Sequence, residues 1–202
     1  WLLDTNVLGN AKRDYYGFEF CPAFWDWLDV AWAAGQVASV EAVYDELVDY
    51  GDQLSDWARD HRGFFRAPGA AEVGAMATVN GWAAASGDYT LAAKQEFAAA
   101  ADSVLLAYAL AGGHTVVTHE LPSNATKRIP IPNAAAALGV SYASPWRMLR
   151  EERPLFVLGQ VSLPWRRRRI SSCRSCSTTG TSCATTGCRR STTSSSSRTC
   201  CS

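Results

Sequence analysis

Acidic residues are absent from the last 42 residues of this 202-residue chain. All 19 Asp and Glu lie in residues 1–160, with 11 Lys and Arg, so that part carries a formal charge of −8. Residues 161–202 hold 8 Arg and sum to +8, and the formal net charge of zero hides this split. Long apolar runs are absent too. Nothing approaches the roughly 18 consecutive apolar residues of a membrane-spanning helix, so no membrane contact is expected. No basic-then-apolar stretch opens the chain, and a secretory leader is not expected. Cysteine is scarce where a core could form. Cys21 stands alone in the body, and the other six lie from Cys173 onward. A body with one cysteine is not a disulfide scaffold, which favours a cytoplasmic protein.

The chain divides in two. Residues 1–158 read as one domain, long enough to bury a sizeable core. Residues 159–202 read as a low-complexity Ser/Thr/Arg/Cys tail, disordered or frameshifted. From Ser171, Ser and Thr make up 19 of 32 residues, with no aromatic. Such a segment cannot offset its ordering entropy by burial. Its Cys173-x-x-Cys176 pair invites a zinc reading, but no apolar residues exist to fold around a metal. The Arg166–Arg169 run invites a nucleic-acid-arm reading. Neither enters the functional argument.

In the body, short apolar strands alternate with helical patterns. WLL (1–3) reads as a truncated first strand. PAFWDWLDVAWAAG (22–35) starts on a proline suited to a first helical turn and stops at a glycine. QVAS (36–39) reads as a strand whose Ser39 caps the helix VEAVYDELVDYG (40–51). Helices follow over 52–61, 70–85, from Tyr89, and over 101–113. HTVVTHE (114–120) is a β-branched buried strand. Asn133–Leu138 is a short helix, 140–143 a strand and 145–152 a closing helix. This alternation predicts an α/β fold of three layers, α/β/α, around a central parallel sheet.

Why should a carboxylate follow WLL at the end of a buried strand? Ligands of open α/β sheets bind beyond the carboxyl ends of the strands. Asp4 lies at such an end, and so does Glu120, after TVVTH. Asp102 opens the ADSVLLAYAL helix. Glu46 lies on VEAVYDELVDY, where Asp45 and Glu41 are alternatives. Each acid alone has a plain explanation as a helix cap, a loop residue or a solvated helix position. Together they could converge at one sheet edge. Four such charges repel one another, and a divalent cation relieves the conflict. Clustered carboxylates suit Mg²⁺ or Mn²⁺, ions able to activate water and stabilise the leaving oxygen of a phosphodiester.

Four stretches carry a family likeness: LLDTNVL (2–8), SVEAVYDEL (39–47), ADSVLLAYALAGGHTVVTHE (101–120) and KRIPIPNAAAALGV (127–140). In their order and separation, the chain resembles a PIN domain, the metal-dependent nuclease fold of VapC-type toxins and many RNA-processing enzymes. YYGFEFCPAFWDWL (15–28) and VVTHE narrow this to a little-characterised bacterial and archaeal PIN-like family. The resemblance implies that Asp4, Glu46 and Asp102 are the metal ligands and that Asn6 orients the neighbouring loop. Glu120 matches the fourth acid of a T-x-D pattern, with Glu where Asp is usual, and Thr118 becomes a partner for a carboxylate or a water. It also implies an antitoxin-like protein partner.

The expectation is thus a cytoplasmic Mg²⁺- or Mn²⁺-dependent endoribonuclease acting on single-stranded RNA, with Asp4, Glu46, Asp102 and Glu120 catalytic. Lys127 and Arg128 could meet the phosphate backbone. His119, in an extended segment, faces away from Thr118 and Glu120. The tryptophans of the helices read as core or homodimer contacts. The acidic body does not suit nucleic acid at long range, so basic loops or a dimer groove must compensate. Two rivals stand beside this reading. One is a non-catalytic PIN-like module that binds RNA or protein. The other is a haloacid-dehalogenase-type phosphatase, which wants a second Asp where this chain has Asn6.

Overall fold

The computed structural model describes residues 1–156. The readings of the tail beyond them, including its cysteine pairs and its arginine run, lie outside the described residues. Among the described residues, five two-residue strands are all parallel: β1 (Leu2–Leu3), β2 (Ser39–Val40), β3 (Phe65–Arg66), β4 (Val116–Val117) and β5 (Tyr142–Ala143). β1, β4 and β5 form one ladder, β2 and β3 another. A bridge between Leu2 and Ala38 joins them, giving the order β3-β2-β1-β4-β5.

That order decides where a site can form. From β1 the chain moves outward one way through β2 and β3. It then returns to the other side of β1 for β4 and β5. The reversal makes the carboxyl end of β1, beside β4, the topological switch point. The strands there are buried on both faces, with Leu3, Val116 and Val117 at 0% exposure, as an α/β sheet covered by helices requires.

The helices follow from apolar spacing and punctuation. After β1 comes α1 (Thr5–Asn10), continued by a π-helical turn over Ala11–Tyr15. α2 (Pro22–Ala33) starts on its proline and buries Phe24, Trp25, Leu28 and Ala31 along one stripe. α3 (Glu41–Val48) buries Val43 and Leu47, one turn apart. α4 (Gln53–Asp60) is capped by Asp52, whose carboxylate accepts from the Leu54 and Ser55 amides. α5 (Ala70–Ala85) and α6 (Leu91–Ala99) precede α7 (Ala101–Gly112), the most buried helix. Small residues at 101, 103, 107 and 109 let α7 sit deep, with Leu105 and Leu106 in the core. Gly113 ends it at φ 65°, a conformation that suits glycine. α8 (Ile131–Leu138) and α9 (Pro145–Glu152) complete the described chain.

The α/β architecture is the expected one; some details differ. Ser39 does not cap α3. Its hydroxyl donates to the Leu3 carbonyl at 2.6 Å, tying β2 to β1, and Val40 is the cap residue, with no side-chain bond. The strand expected over 36–39 is Ser39–Val40, and the one expected over 114–120 is only Val116–Val117. The helix expected from Asn133 begins at Ile131. Trp25 and Trp57 are buried, while Trp27, Trp32 and Trp82 pack partly buried against the same core. Among the described residues, no helix is long and apolar enough to cross a membrane.

Candidate metal centre

Asp4 occupies the N-cap position of α1, directly after β1, yet its side chain makes no capping bond. The simple cap explanation therefore fails. The residue is 1% exposed. Its Oδ2 accepts from the Thr118 hydroxyl at 2.9 Å and from the Asn6 amide nitrogen at 3.3 Å. Thr118 follows β4, so this contact spans the switch point. Burial pushes the Asp4 carboxyl above its ordinary range. The Thr118 and Asn6 donors pull the other way, and the charge of Glu46 adds to the rise.

Glu46 projects from α3. Its Oε2 accepts from the Thr5 hydroxyl at 2.5 Å and its Oε1 from the Ala101 amide at 3.3 Å. Ala101 opens α7, whose own cap residue, Ala100, has no side-chain cap. Glu46 thus satisfies an orphan amide at the positive end of that helix. The alternatives on α3 are elsewhere. Asp45 is exposed, and Glu41 pairs with Arg62.

Asp102 lies in the first turn of α7. Its carboxyl is pushed up to about 7, first by burial and then by the charge of Asp4, with Glu46 and Glu96 adding and Arg128 opposing. It lines a cleft of about 370 Å³ with Glu46, Glu96, Phe97 and Arg128. Three of the four predicted acids therefore share one electrostatic neighbourhood, at the carboxyl edge of the sheet.

Glu120 is placed differently. Its Oε2 accepts from the Ile131 amide at 2.8 Å, which caps α8. Its Oε1 faces the Arg128 guanidinium in an ion pair without hydrogen-bond alignment. The extra methylene of Glu lets it reach α8, a reach that Asp lacks. The Thr118 oxygen also accepts from the Glu120 amide at 3.1 Å, which fixes the turn. Lys127 and Arg128 are exposed. Arg128 lines the acidic cleft, and Lys127 does not. The His119 ring stacks with Tyr15 at 5.7 Å and meets Trp146 edge-on at 6.1 Å, and it lines a mostly apolar pocket with them rather than the acidic cleft. Two participants escaped the sequence reading, Thr5 and Glu96. Thr5 follows Asp4 directly, a signal that was available. Glu96 lies on α6 across the break at Ala100, where no spacing rule applies.

Among the described residues, no three His, Cys, Asp or Glu side chains stand in a ready-made cation cage. Asp4 and Glu46 have oxygens engaged with protein donors instead. The donor chemistry still fits a hard divalent ion. The acids offer only oxygen, two of them are raised in pKa, and a cation would relieve the repulsion that helps raise them.

A family described as a domain of unknown function, DUF4411, matches residues 1–156. The chain belongs to this family. No curated protein and no solved structure matches it. The DUF4411 match covers the residues the structure describes, so Asp4, Glu46, Asp102, Thr118 and Glu120 all lie within the family's domain.

Proposed function

We propose that this DUF4411 protein is a Mg²⁺- or Mn²⁺-dependent endoribonuclease of the PIN-like kind, with Asp4, Glu46 and Asp102 as the metal-holding carboxylates. One observation carries the reading. Asp102 and Glu46, from two different helices, line one cleft, and Asp4, at the end of β1, lies near enough that its charge, after burial, is the main influence raising the Asp102 carboxyl. Acids gathered in this way resist ionisation, and perturbed carboxyls in a cleft mark candidate functional sites.

Each residue has a task in this reading. Thr118 and Asn6 hold the Asp4 carboxylate in place. Thr5 and the α7 amide hold Glu46. Arg128, at the cleft wall, offers a guanidinium to a phosphate oxygen. The ion, when bound, would lower the pKa of a water and stabilise the charge leaving on a phosphodiester oxygen. Single-stranded RNA is the substrate class, and a toxin–antitoxin pair is the setting that the PIN resemblance implies.

The test is manganese-dependent cleavage of a labelled single-stranded RNA by the full chain. Asp4→Asn and Asp102→Asn are each expected to lower the rate by more than about 100-fold, the upper end of what losing a supporting partner costs. A second reading, a non-catalytic RNA- or protein-binding module, has one observation in its favour: Glu120 is committed to Arg128 and α8. If the parent does not cut RNA, or if both variants cut as fast as the parent, the assignment of these acids as a catalytic centre is overturned.

A further inference from the structure

A second depression, about 190 Å³ in volume, includes the residues that donate to Glu46 and Asp4. Thr5, Asn6, Asn10, Lys12, Arg13 and Tyr50 line it. The two depressions meet through side-chain bonds. Thr5 lines this groove and donates to Glu46; Asn6 lines it and donates to Asp4. Glu46 is tied to both: its Oε2 accepts from Thr5, which lines the groove, and its Oε1 accepts from the Ala101 amide, beside the cleft residues Ala100 and Asp102. Their charge balance differs in sign. Three acids and Arg128 line the cleft, whereas the groove carries an ammonium, a guanidinium, one carboxylate (Asp52), two side-chain amides and two hydroxyls.

The groove's cations are placed by an irregular backbone. Lys12 and Arg13 lie in the π-helical turn Ala11–Tyr15, which closes with the Tyr16 amide donating to the Ala11 carbonyl. Such turns inside helices recur at functional sites. Neither cation is locked away. Lys12 pairs with Asp52 at 2.8 Å, with both side chains partly exposed, and Asp52 also lines the groove. Arg13 is two-thirds exposed, with its Nε 3.4 Å from Asp14 and its Nη2 donating to Asn10 at 2.5 Å. Ion pairs as exposed as these contribute little and exchange readily for a phosphate. At the rim, Tyr50 leaves 71% of its surface exposed, an aromatic face that a nucleobase can cover.

We infer that this groove is a phosphate subsite for the nucleotide next to the scissile bond. Lys12 and Arg13 contact the backbone phosphate, Asn10 adds a side-chain amide, and Tyr50 stacks on the base. The inference rests on the ribonuclease reading, because the groove is defined by its continuity with Asp4 and Glu46. It also meets the difficulty of a body with a formal charge of −8: attraction to the strand is local and sits beside the acids.

The experiment uses the full chain and a fluorescently labelled oligouridine, in cleavage assays and, with Asp102→Asn as background, in anisotropy titrations across a salt series. Replacing Lys12 and Arg13 together by Gln is expected to weaken binding by at least tenfold. The slope of log affinity against log salt should become shallower by about 1.4, two single-strand contacts at roughly 0.7 each. Asp52→Asn removes a competing charge while keeping a good helix cap, so it is expected to tighten binding. In the cleavage assay, the Lys12→Gln/Arg13→Gln pair should raise KM more than it lowers kcat. Circular dichroism checks that the double variant is folded, and Arg13→Gln alone, at an exposed position, should give half the slope change. A parent that binds and cuts RNA, beside a double variant with the same affinity and slope, overturns the groove while leaving the acids standing. A parent that neither binds nor cuts RNA overturns both.

Discussion

One hydroxyl at Thr118 serves two neighbours. It donates to Asp4 at 2.9 Å and accepts from the Glu120 amide at 3.1 Å. Without the donation, Asp4 loses the strongest influence that opposes its burial and holds its proton more tightly. Protons and metal ions compete for the same carboxylate. Thr118→Val is therefore expected to weaken manganese binding, and more so at acidic than at alkaline pH, where Asp4 ionises regardless. Thr118→Ser, which keeps the donor, should restore most of the affinity. Calorimetric titration at several pH values checks this, and an equal loss at every pH would mean that the hydroxyl only shapes the loop.

At the level of elements, α7 links core to site. Its first turn carries Asp102, and its amide end receives Glu46. Leu105 and Leu106, one turn on, are fully buried. Leu105→Ala is expected to cost about 2–5 kcal/mol, the transfer term plus the cavity left behind, read as a lowered urea midpoint with an unchanged slope. α7 and α2 were legible because proline, glycine and apolar spacing agree there. The shorter elements were not. A two-residue strand such as Phe65–Arg66 has no period to detect, and its pairing with β2 is decided by contacts distant in sequence. Ser39 looked like a cap because Ser before a helical pattern usually is one, but a buried carbonyl on β1 claimed its hydroxyl. The acids were legible as residue types at the ends of elements. Their pairing was not, since whether Glu120 reaches a metal or a helix end depends on where α8 begins.

Across the whole molecule, the gathered acids set a pH dependence with a definite sign. Both states of the chain are protonated at Asp102 in strong acid, and there is no penalty. As pH rises past the ordinary value of 3.8, the unfolded chain ionises first, while the folded carboxyl waits until about 7. The unfolded state gains over that window, and the penalty is constant above it. Three pKa units set a ceiling of about 4 kcal/mol, which water reaching this partly open carboxyl reduces. Asp4 is raised in the same direction. In the presence of a chelator, the stability of the parent relative to Asp102→Asn is therefore expected to fall across this window and then level off. Manganese should reverse the order. An ion that binds only the folded chain adds stability by mass action, about 2.7 kcal/mol at 100 times its dissociation constant. The parent collects that gain in full, and Asp102→Asn, missing a ligand and the charge that repels Asp4, collects less. Urea unfolding of both proteins across pH, with and without manganese, measures the two effects separately. A gap between them that ignores pH would show that Asp102 is ordinary in its acidity, and a parent indifferent to manganese would show that its neighbours do not hold an ion.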